Sequence, residues 1–265
     1  AQAFGGGAEH LKLVNPISAD LSDMRPSILP NLLAATARNQ DRGESDVAMF
    51  EIGPVFLGDK PDEQRTACSG IRHGASAPRE WHGTMRTVDV FDAKADAEAA
   101  LAALGIRAAG IQTTAEAPDY FHPGRSGSLI QGRTKLASFG ELHPRIAKTF
   151  GLRGTAVGFE IHVDDVPMPK SKGPARSVLT MSVFQPVSRD FAFIVDETVA
   201  VGDLLRAVKS GAGSLLADMR VFDLYQGDNI DAGKKSVAIT ITLSPTKATL
   251  TDDEIEKISA SVIEL

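Results

Sequence analysis

The sequence predicts an α+β protein with two domains, and three observations lead to this class. The chain has 265 residues, of which 43% are hydrophobic, so it can bury two cores of moderate size. The segment 166–177, VPMPKSKGPARS, combines prolines, glycine, serines and basic residues, which is typical of a solvated linker. Helical and strand periodicities are mixed on both sides of it. We therefore predict domains at 1–168 and 179–265, joined by a linker at 169–178.

The first domain is predicted to be an antiparallel sheet of five or more strands with helices on one side. An apolar stripe from Leu29 to Ala37 indicates a helix. Asp92 is placed to cap an alanine-rich helix, and the pair Gly132-Arg133 suits a two-residue hairpin turn. Pro144 opens a short helix. The predicted strands are 47–57, 65–73, 86–91, 126–131, 134–142 and 155–163.

The second domain is predicted to have the element order strand, helix, strand, strand, helix. Phe191 and Phe193 alternate with less apolar residues, which indicates a strand with one buried face. Thr251 and Glu254 have the spacing of a capping box at the start of the last helix. The predicted strands are 189–196, 215–225 and 235–243, and the predicted helices begin near Val201 and Thr251.

This βαββα order lacks one strand of the split βαβ sheet found in ferredoxin-like domains. We therefore expect a ferredoxin-like fold whose last strand is missing, and a native chain that continues beyond Leu265. The two strands at 215–225 and 235–243 should pair as a hairpin, because the loop between them is rich in glycine, aspartate and asparagine.

Charge and composition exclude several classes of protein. The net charge is −6, and the chain from Met181 onward carries eight Lys and Arg against thirteen Asp and Glu. This balance argues against non-specific binding of nucleic acid, so any RNA contact must be local. Cys68 is the only cysteine, which excludes an internal disulfide, and the sequence has neither a signal peptide nor an apolar run of membrane-spanning length. We expect a cytoplasmic protein without membrane contact.

Two groups of motifs carry a resemblance to a known family. The run VFDLYQGDNIDAGKKSVAITITL, with LTDDEI after it and FQPVSRDFAFIVD before it, resembles the anticodon-binding ferredoxin-like domain of bacterial phenylalanyl-tRNA synthetase. The stretches LVNPISADLSDMRPSILPNLLAATARNQDR, VAMFEIGPVF, YFHPGRSG and FGELHPRI resemble the catalytic-like, class II synthetase-like domain of the β-subunit of that enzyme. The resemblance covers nearly the whole chain.

The resemblance implies an α2β2 heterotetramer in which the α-subunit activates phenylalanine with ATP and Mg²⁺. The β-subunit would then supply recognition of the phenylalanine tRNA and a scaffold. This chain corresponds to the C-terminal third of such a β-subunit.

The residues themselves predict that the chain has no catalytic site of its own. Active class II synthetases carry an arginine, usually followed two residues later by a glutamate, after a strand like MFEIGPVF, because the guanidinium grips the ATP α-phosphate. Here these positions are Leu57 and Asp59. The glycines from Gly5 to Gly7 lack the lysine and hydroxyl residue of a P-loop. We expect no catalytic residue, no cofactor and no metal ligand in this chain.

The resemblance places a tRNA-binding cluster at the end of the second hairpin. Tyr225, with Asp223 on the same strand and Ser236 across the hairpin, has the side chains that stack on bases and bond to their edges. The alternative is that Tyr225 is a half-buried packing residue. Basic residues nearby are candidates for phosphate contacts, or else are solvated: Arg189, Lys234 and Lys235.

The histidine-proline pairs at His122 and His143 invite an acid–base or metal-binding interpretation, with possible helpers at His73, His82, Glu141 and Asp119. Their spacing differs from that of typical metal sites, so we predict structural roles for both. Arg125 is predicted to fix a loop or an interface, and Cys68 to be a buried thiol.

A second class of function stays open at this point. Ferredoxin-like folds also occur in stand-alone RNA-binding and small-molecule-sensing modules, and fold alone does not decide between them.

Overall fold

The computed structural model describes residues 2–168 and 182–264, which belong to two compact units, Ala1–Lys172 and Gly173–Leu265. The predicted linker 169–178 lies outside the described residues. The strands are β1 (Val47–Phe56), β2 (Gln64–His73), β3 (Gln112–Thr114), β4 (Phe121–Gln131), β5 (Thr134–Leu142), β6 (Ala156–His162), β7 (Val187–Asp196), β8 (Leu216–Tyr225) and β9 (Lys234–Leu243). The helices are α1 (Leu29–Asp41), α2 (Val90–Ala103), α3 (Pro144–Thr149), α4 (Val201–Ala212) and α5 (Asp252–Ile263).

The first unit contains a six-stranded antiparallel sheet in the order β1-β2-β6-β5-β4-β3. Side chains of β2 alternate between two cores: Ile71 packs with Leu29 of α1, whereas Cys68 packs with Ala97 of α2. The helices therefore cover opposite faces, and the prediction that they lie on one side was wrong. The near-continuous burial of β2 from Ala67 to Ile71 reflects this two-sided cover.

The strand predicted at 86–91 is also wrong. Thr87 makes only an isolated bridge to Ala75, and Asp89 caps α2 by accepting the amide of Phe91. Asp92, predicted as the cap, instead occupies the third helical position, and its carboxylate accepts the amide of Asp89. This reciprocal capping box begins the helix where a strand would otherwise continue.

The second unit contains a three-stranded antiparallel sheet in the order β7-β9-β8, with α4 and α5 on one face. The element order βαββα predicted for a ferredoxin-like domain is confirmed among the described residues. Every second residue of the central strand β9 is buried against the helices, and these residues are Val237, Ile239, Ile241 and Leu243.

The other face of this sheet, which we call the open face, carries no helix of the second unit. Its residues alternate with the buried ones and pair across the strands. They are Ser188, Asp190, Ala192, Ile194 and Asp196 on β7, Lys234, Ser236, Ala238, Thr240 and Thr242 on β9, and Asp218, Arg220, Asp223 and Tyr225 on β8.

In neither described part of the chain is there a helix long and apolar enough to cross a membrane.

Candidate nucleic-acid interface

The open face ends in a row of three residues that cross the sheet side by side. Ile194 pairs with Ser236, and Ser236 pairs with Tyr225. The tyrosine side chain is 41% exposed although it lies on a strand. A small hydroxyl residue therefore separates two larger exposed side chains. The row forms a shallow trough with one aromatic wall, which is the shape that a flat ring can enter.

The next row on the open face places a carboxylate beside this trough. Ala192, Ala238 and Asp223 pair across the three strands, so the centre of this row is again small. Rows on one face of a strand are spaced by two residues, or roughly 7 Å. Asp223 is thus close enough to bond to the edge of a ring that rests on Tyr225.

A β-bulge places the side chains of Asp223 and Tyr225 on the open face. The pairing of β8 with β9 shifts between Val221 and Asp223, which leaves Phe222 without a partner in the register. In an unbroken strand Asp223 would point toward the helices, because side chains alternate between faces. The extra residue reverses that alternation for the end of the strand.

Gly227 leaves room for the Tyr225 ring beside the hairpin loop. A Cβ atom at position 227 would lie 2.6 Å from the tyrosine Oη and 2.8 Å from Cζ, closer than real side chains approach. The hairpin loop can cross the ring only because this residue has no side chain.

The two lysines at the start of β9 differ in their surroundings. Lys235 pairs with Val195 on the helix side, and its ammonium donates to the carbonyl of Glu197 at 2.8 Å. Lys234 pairs with Asp196 on the open face and lies 3.4 Å from the exposed carboxylate of Asp231. Lys234 is therefore the lysine that is placed to reach a ligand on the open face.

Arg189 lies apart from the other predicted residues. It pairs with Ile241 near the other end of β7, on the helix side of the sheet, and its guanidinium donates to the carbonyl of Ser188. The structure thus brings Asp223, Tyr225 and Ser236 onto one surface with Lys234 beside them. Their roles in binding tRNA stay predictions.

In the first unit, Leu57 occupies the position at which active class II synthetases carry an arginine. Leu57 is 55% exposed and offers no hydrogen-bond donor from its side chain. The neighbouring Glu63 carboxylate accepts the amide of Lys60 and lies against Gly58, so it would have to move if residue 58 had a side chain. Arg25, the nearby guanidinium, is paired with Glu51 at 2.6 Å. An apolar side chain beside a carboxylate therefore stands where the phosphate-binding arginine would be expected.

The two histidine-proline pairs have local structural contacts. His122 accepts the amide of Gly124, and His143 caps α3 by accepting the amide of Arg145, both at 3.1 Å. Arg125 donates two hydrogen bonds to Glu141, which ties β4 to β5. Within residues 2–168 and 182–264, no three His, Cys, Asp or Glu side chains converge on a point where a metal ion could bind.

Three further side chains considered from the sequence have structural or surface positions. His73 is buried and bonds to Gln40 and to the carbonyls of Ser45 and Arg153. His82 lies on the surface next to Glu80. Cys68 is buried as predicted, and burial raises the pKa of its thiol.

One buried polar cluster was missed by the sequence reasoning. Glu160 is only 6% exposed, and its Oε1 accepts hydrogen bonds from the hydroxyls of Ser27 at 2.8 Å and Ser69 at 3.1 Å. The Tyr120 hydroxyl donates to Oε2 at 3.3 Å. The sequence did contain a signal for this cluster, namely the single acidic residue within the apolar strand AVGFEIH. A carboxylate in such a strand is buried only where other groups donate hydrogen bonds to it.

Comparison with known proteins agrees with the fold and the motifs. Residues 2–163 match the family model described as phenylalanyl tRNA synthetase beta chain CLM domain, and residues 182–265 match the ferredoxin-fold anticodon binding domain. The phenylalanine–tRNA ligase beta subunit of Rhodospirillum rubrum is 48% identical over 264 residues, which is 99% of this chain and 33% of that protein. The corresponding subunit of Cereibacter sphaeroides is 48% identical over 268 residues, with 100% of this chain and 33% of that protein covered.

Among solved structures, a pyrrolysyl tRNA synthetase of Desulfitobacterium hafniense overlays with a TM-score of 0.43 at 18% identity, covering 57% of this chain and 51% of that one. This likeness is too distant to bear on function. The chain spans about one third of the length of the curated relatives it matches. Since a family model covers more than half of its residues, the chain belongs to the phenylalanyl-tRNA synthetase beta-chain family.

Proposed function

We propose that this chain is the part of a phenylalanine–tRNA ligase β-subunit that holds bases of the tRNA anticodon on the open face of its second unit. The observation that carries this proposal is the trough between Ile194 and Tyr225, with Asp223 in the adjacent row. The match of this unit to an anticodon-binding domain supports the same assignment. The complex would act in the cytoplasm.

The side chains in the trough would make different contacts with a bound base. A base stacks on the Tyr225 ring, and stacking of this kind tolerates any base because every base has an aromatic face. The Asp223 carboxylate accepts hydrogen bonds only, so it selects a base that presents amino or imino donors at its edge. The Ser236 hydroxyl both donates and accepts and lies at the floor of the trough.

The charge of the open face favours recognition of bases over recognition of the backbone. Asp190, Asp196, Asp218 and Asp223 outnumber Arg220 and Lys234 on this surface. Few phosphates can therefore be neutralised here, and the salt dependence of binding by this unit should be small.

The first unit is proposed to bind the α-subunit of an α2β2 enzyme. Its hairpin-like loop 12–23 is closed by hydrogen bonds of Leu13 with Ser22 and of Met24 with Leu11. Four apolar side chains of this loop are exposed, Leu13, Val14, Ile17 and Leu21, and Ile17 is 96% exposed. Exposed apolar clusters usually mark partner sites. Activation of phenylalanine with ATP and Mg²⁺ would belong to the α-subunit, since Leu57 replaces the phosphate-binding arginine.

The test of base recognition uses the intact enzyme with Tyr225→Ala. Loss of one stacked base costs about 1–3 kcal/mol, so tRNA binding should weaken roughly five- to a hundred-fold while phenylalanine activation is unchanged. Phe222→Ala is the matched control, because Phe222 is an exposed aromatic residue of the same strand that lies in the bulge. If the Tyr225→Ala enzyme still penalises a changed anticodon as strongly as the wild type does, Tyr225 is a packing residue and the assignment fails.

The test of subunit binding compares Ile17→Asp with Val183→Asp. Both residues are almost fully exposed, but Val183 belongs to the second unit. A charge at position 17 should reduce co-purification of the α-subunit at least tenfold, whereas the change at position 183 should leave it intact. Equal recovery of the α-subunit with both variants would count against the loop as a docking site.

A further inference from the structure

The outer edge of strand β1 is open over part of its length. The amide of Phe56 donates to the carbonyl of Arg25, and the Arg25 Nε donates to the carbonyl of Pro54. Both bonds lie on the side facing away from β2, since β1 is an edge strand whose other side pairs with β2. Backbone groups of an antiparallel strand point alternately to its two sides. In the described part of the chain no further group bonds to the outward-facing residues before Pro54, which are Ala48, Phe50 and Ile52.

This open stretch is apolar and unprotected. Phe50 is 72% exposed and Ile52 61%, and both side chains border an open groove of about 490 Å³ beside α2. Glu51 within the stretch is paired with Arg25 at 2.6 Å. Natural edge strands usually carry lysine, proline or a bulge that prevents pairing with another strand. Residues 48–52 contain none of these, and their register with β2 is unbroken. The stretch is therefore suited to pair with a further strand.

A second copy of β1 meets the requirements of this edge. When two copies run antiparallel with Phe50 facing Phe50, Ala48 of each copy faces Ile52 of the other, so the whole open stretch is used. About six backbone hydrogen bonds then form, and the apolar side chains of both copies lie on the same face. The next outward residue, Pro54, is already bonded to Arg25, which ends the pairing. In this register the two open stretches match over their full length.

The charges at the two ends of the open stretch complement each other. Glu44 and Asp46 are exposed carboxylates just before β1, whereas Arg25 lies at the other end of the stretch. Antiparallel pairing brings the start of one β1 next to the end of the other. Asp46 of one copy then faces Pro54 of the other, where Arg25 is held. An acidic and a basic end therefore meet on each side of the two-fold axis.

Helix α1 adds a second layer to the same interface. It lies over β1 and β2, because Asn39 approaches the Met49 sulfur at 4.0 Å and Leu29 packs with Ile71. Paired strands are about 4.8 Å apart, so the α1 helices of two paired copies come to roughly 10 Å from each other, a distance at which helices pack. Ala35, one turn before Asn39 on the same flank, is small and permits this approach.

We propose that two copies of this chain associate through their β1 edges and join their six-stranded sheets into one continuous sheet. The second strand is supplied by a second copy, since β1 has the length, the apolar pattern and the end charges that its own edge requires. A short strand and one helix flank per copy make a small interface, so the dissociation constant should be micromolar. This association does not depend on the proposed roles in binding tRNA or the α-subunit.

The test is sedimentation equilibrium of the whole chain alone, from low micromolar to millimolar concentration. A monomer–dimer equilibrium is expected. In the same samples, hydrogen exchange of the amides of Ala48, Phe50 and Ile52 should slow roughly tenfold at high concentration, because these amides become bonded in the dimer. A monomer at every concentration, or a dimer in which these amides exchange as fast as in the monomer, would overturn the proposal.

Two pairs of variants locate the interface. Phe50→Lys places like charges opposite each other and should weaken the dimer roughly tenfold, whereas Phe91→Lys, at a residue of α2 that is also 72% exposed, should not. Ile52→Pro removes an outward amide at a position equivalent to that of Pro54 and should weaken the dimer similarly. Ile52→Val keeps the amide and should have no effect. If Ile52→Pro fails to fold, the Phe50 pair still decides, because a dimer of wild-type strength in Phe50→Lys contradicts the proposal.

Discussion

Gly227 lies against the ring of Tyr225 so closely that even a methyl group at position 227 would overlap the phenol, with 2.6 Å between Cβ and Oη. The tyrosine ring can therefore occupy this position only because the residue two positions further along the chain has no side chain. This relationship connects the hairpin loop of the second unit to the proposed base-stacking surface.

Replacing this glycine tests whether the position of the ring matters. Gly227→Ala should displace the ring and weaken tRNA binding roughly two- to tenfold, because part of a stacking contribution of about 1–3 kcal/mol is lost. The measurement is the dissociation constant of the intact enzyme for its tRNA. Gly202→Ala is the control: its Cβ would meet no atom, and it lies in helix α4, where alanine is favoured. Unchanged affinity in Gly227→Ala would show that the ring position is not critical.

Lys234→Ala should separate phosphate contacts from base contacts. Loss of one phosphate contact lowers the affinity for all tRNAs alike and reduces the slope of log K against log salt by about one unit. Discrimination between anticodons should not change. Lys209→Ala, an exposed lysine near the end of α4, should alter neither quantity. A Lys234→Ala enzyme with the wild-type salt slope would exclude Lys234 from the phosphate contacts.

The isolated chain should show no phenylalanine-dependent pyrophosphate exchange, and Leu57→Arg should not create any. A single guanidinium cannot rebuild a site that needs several preorganised groups, and Glu63 next to it would oppose a triphosphate. The assay compares the purified wild-type and variant chains with a buffer blank. Exchange above the blank in either protein would contradict the assignment of this unit as non-catalytic.

Tyr120 should make stability depend on pH under alkaline conditions. Burial, and then the charge of Glu160 and its hydrogen bond, raise the pKa of the Tyr120 phenol far above its ordinary value. A group with a raised folded-state pKa contributes stability that is complete below the unfolded pKa of about 10 and is lost as the pH rises above it. Urea unfolding of the first unit should therefore become easier above about pH 10.

The comparison for this prediction is Tyr120→Phe, which should show a weaker loss of stability above pH 10. At pH 8 it should be less stable by about 1–3 kcal/mol, because Glu160 loses a donor. The chain has only two tyrosines, so the phenolate absorbance of Tyr225→Phe reports Tyr120 alone. In that protein phenolate should appear only as the first unit unfolds. Phenolate formed near pH 10 in the folded chain would show that Tyr120 is accessible to water.

Local patterns predicted the elements that depend on neighbours in the chain. The capping box of Thr251 and Glu254 begins α5, and the turn at Gly132, with φ of +62°, joins β4 to β5 as predicted. The prediction of a strand at 86–91 was wrong because Asp89 and Asp92 form a capping box that begins a helix there. The alternation of residue types in this segment gave no indication of that helix start. Strand β3 was missed because Gln112–Thr114 is too short for any periodicity.

The sequence by itself determined the α+β class, the order of elements in the second unit and the identity of its aromatic and acidic candidates, because periodicity, caps and turns are encoded within a few residues. The tertiary structure decided which of those candidates share a surface. The bulge at Phe222 turns Asp223 and Tyr225 to the open face, and strand register leaves Arg189 on the other side. The tertiary structure also brings Ser27 within hydrogen-bonding distance of Glu160, 133 positions away in the chain. The hairpin loop indicated the pairing of β8 with β9, but the position of a bulge and the contacts between residues far apart in the chain depend on the assembled sheet.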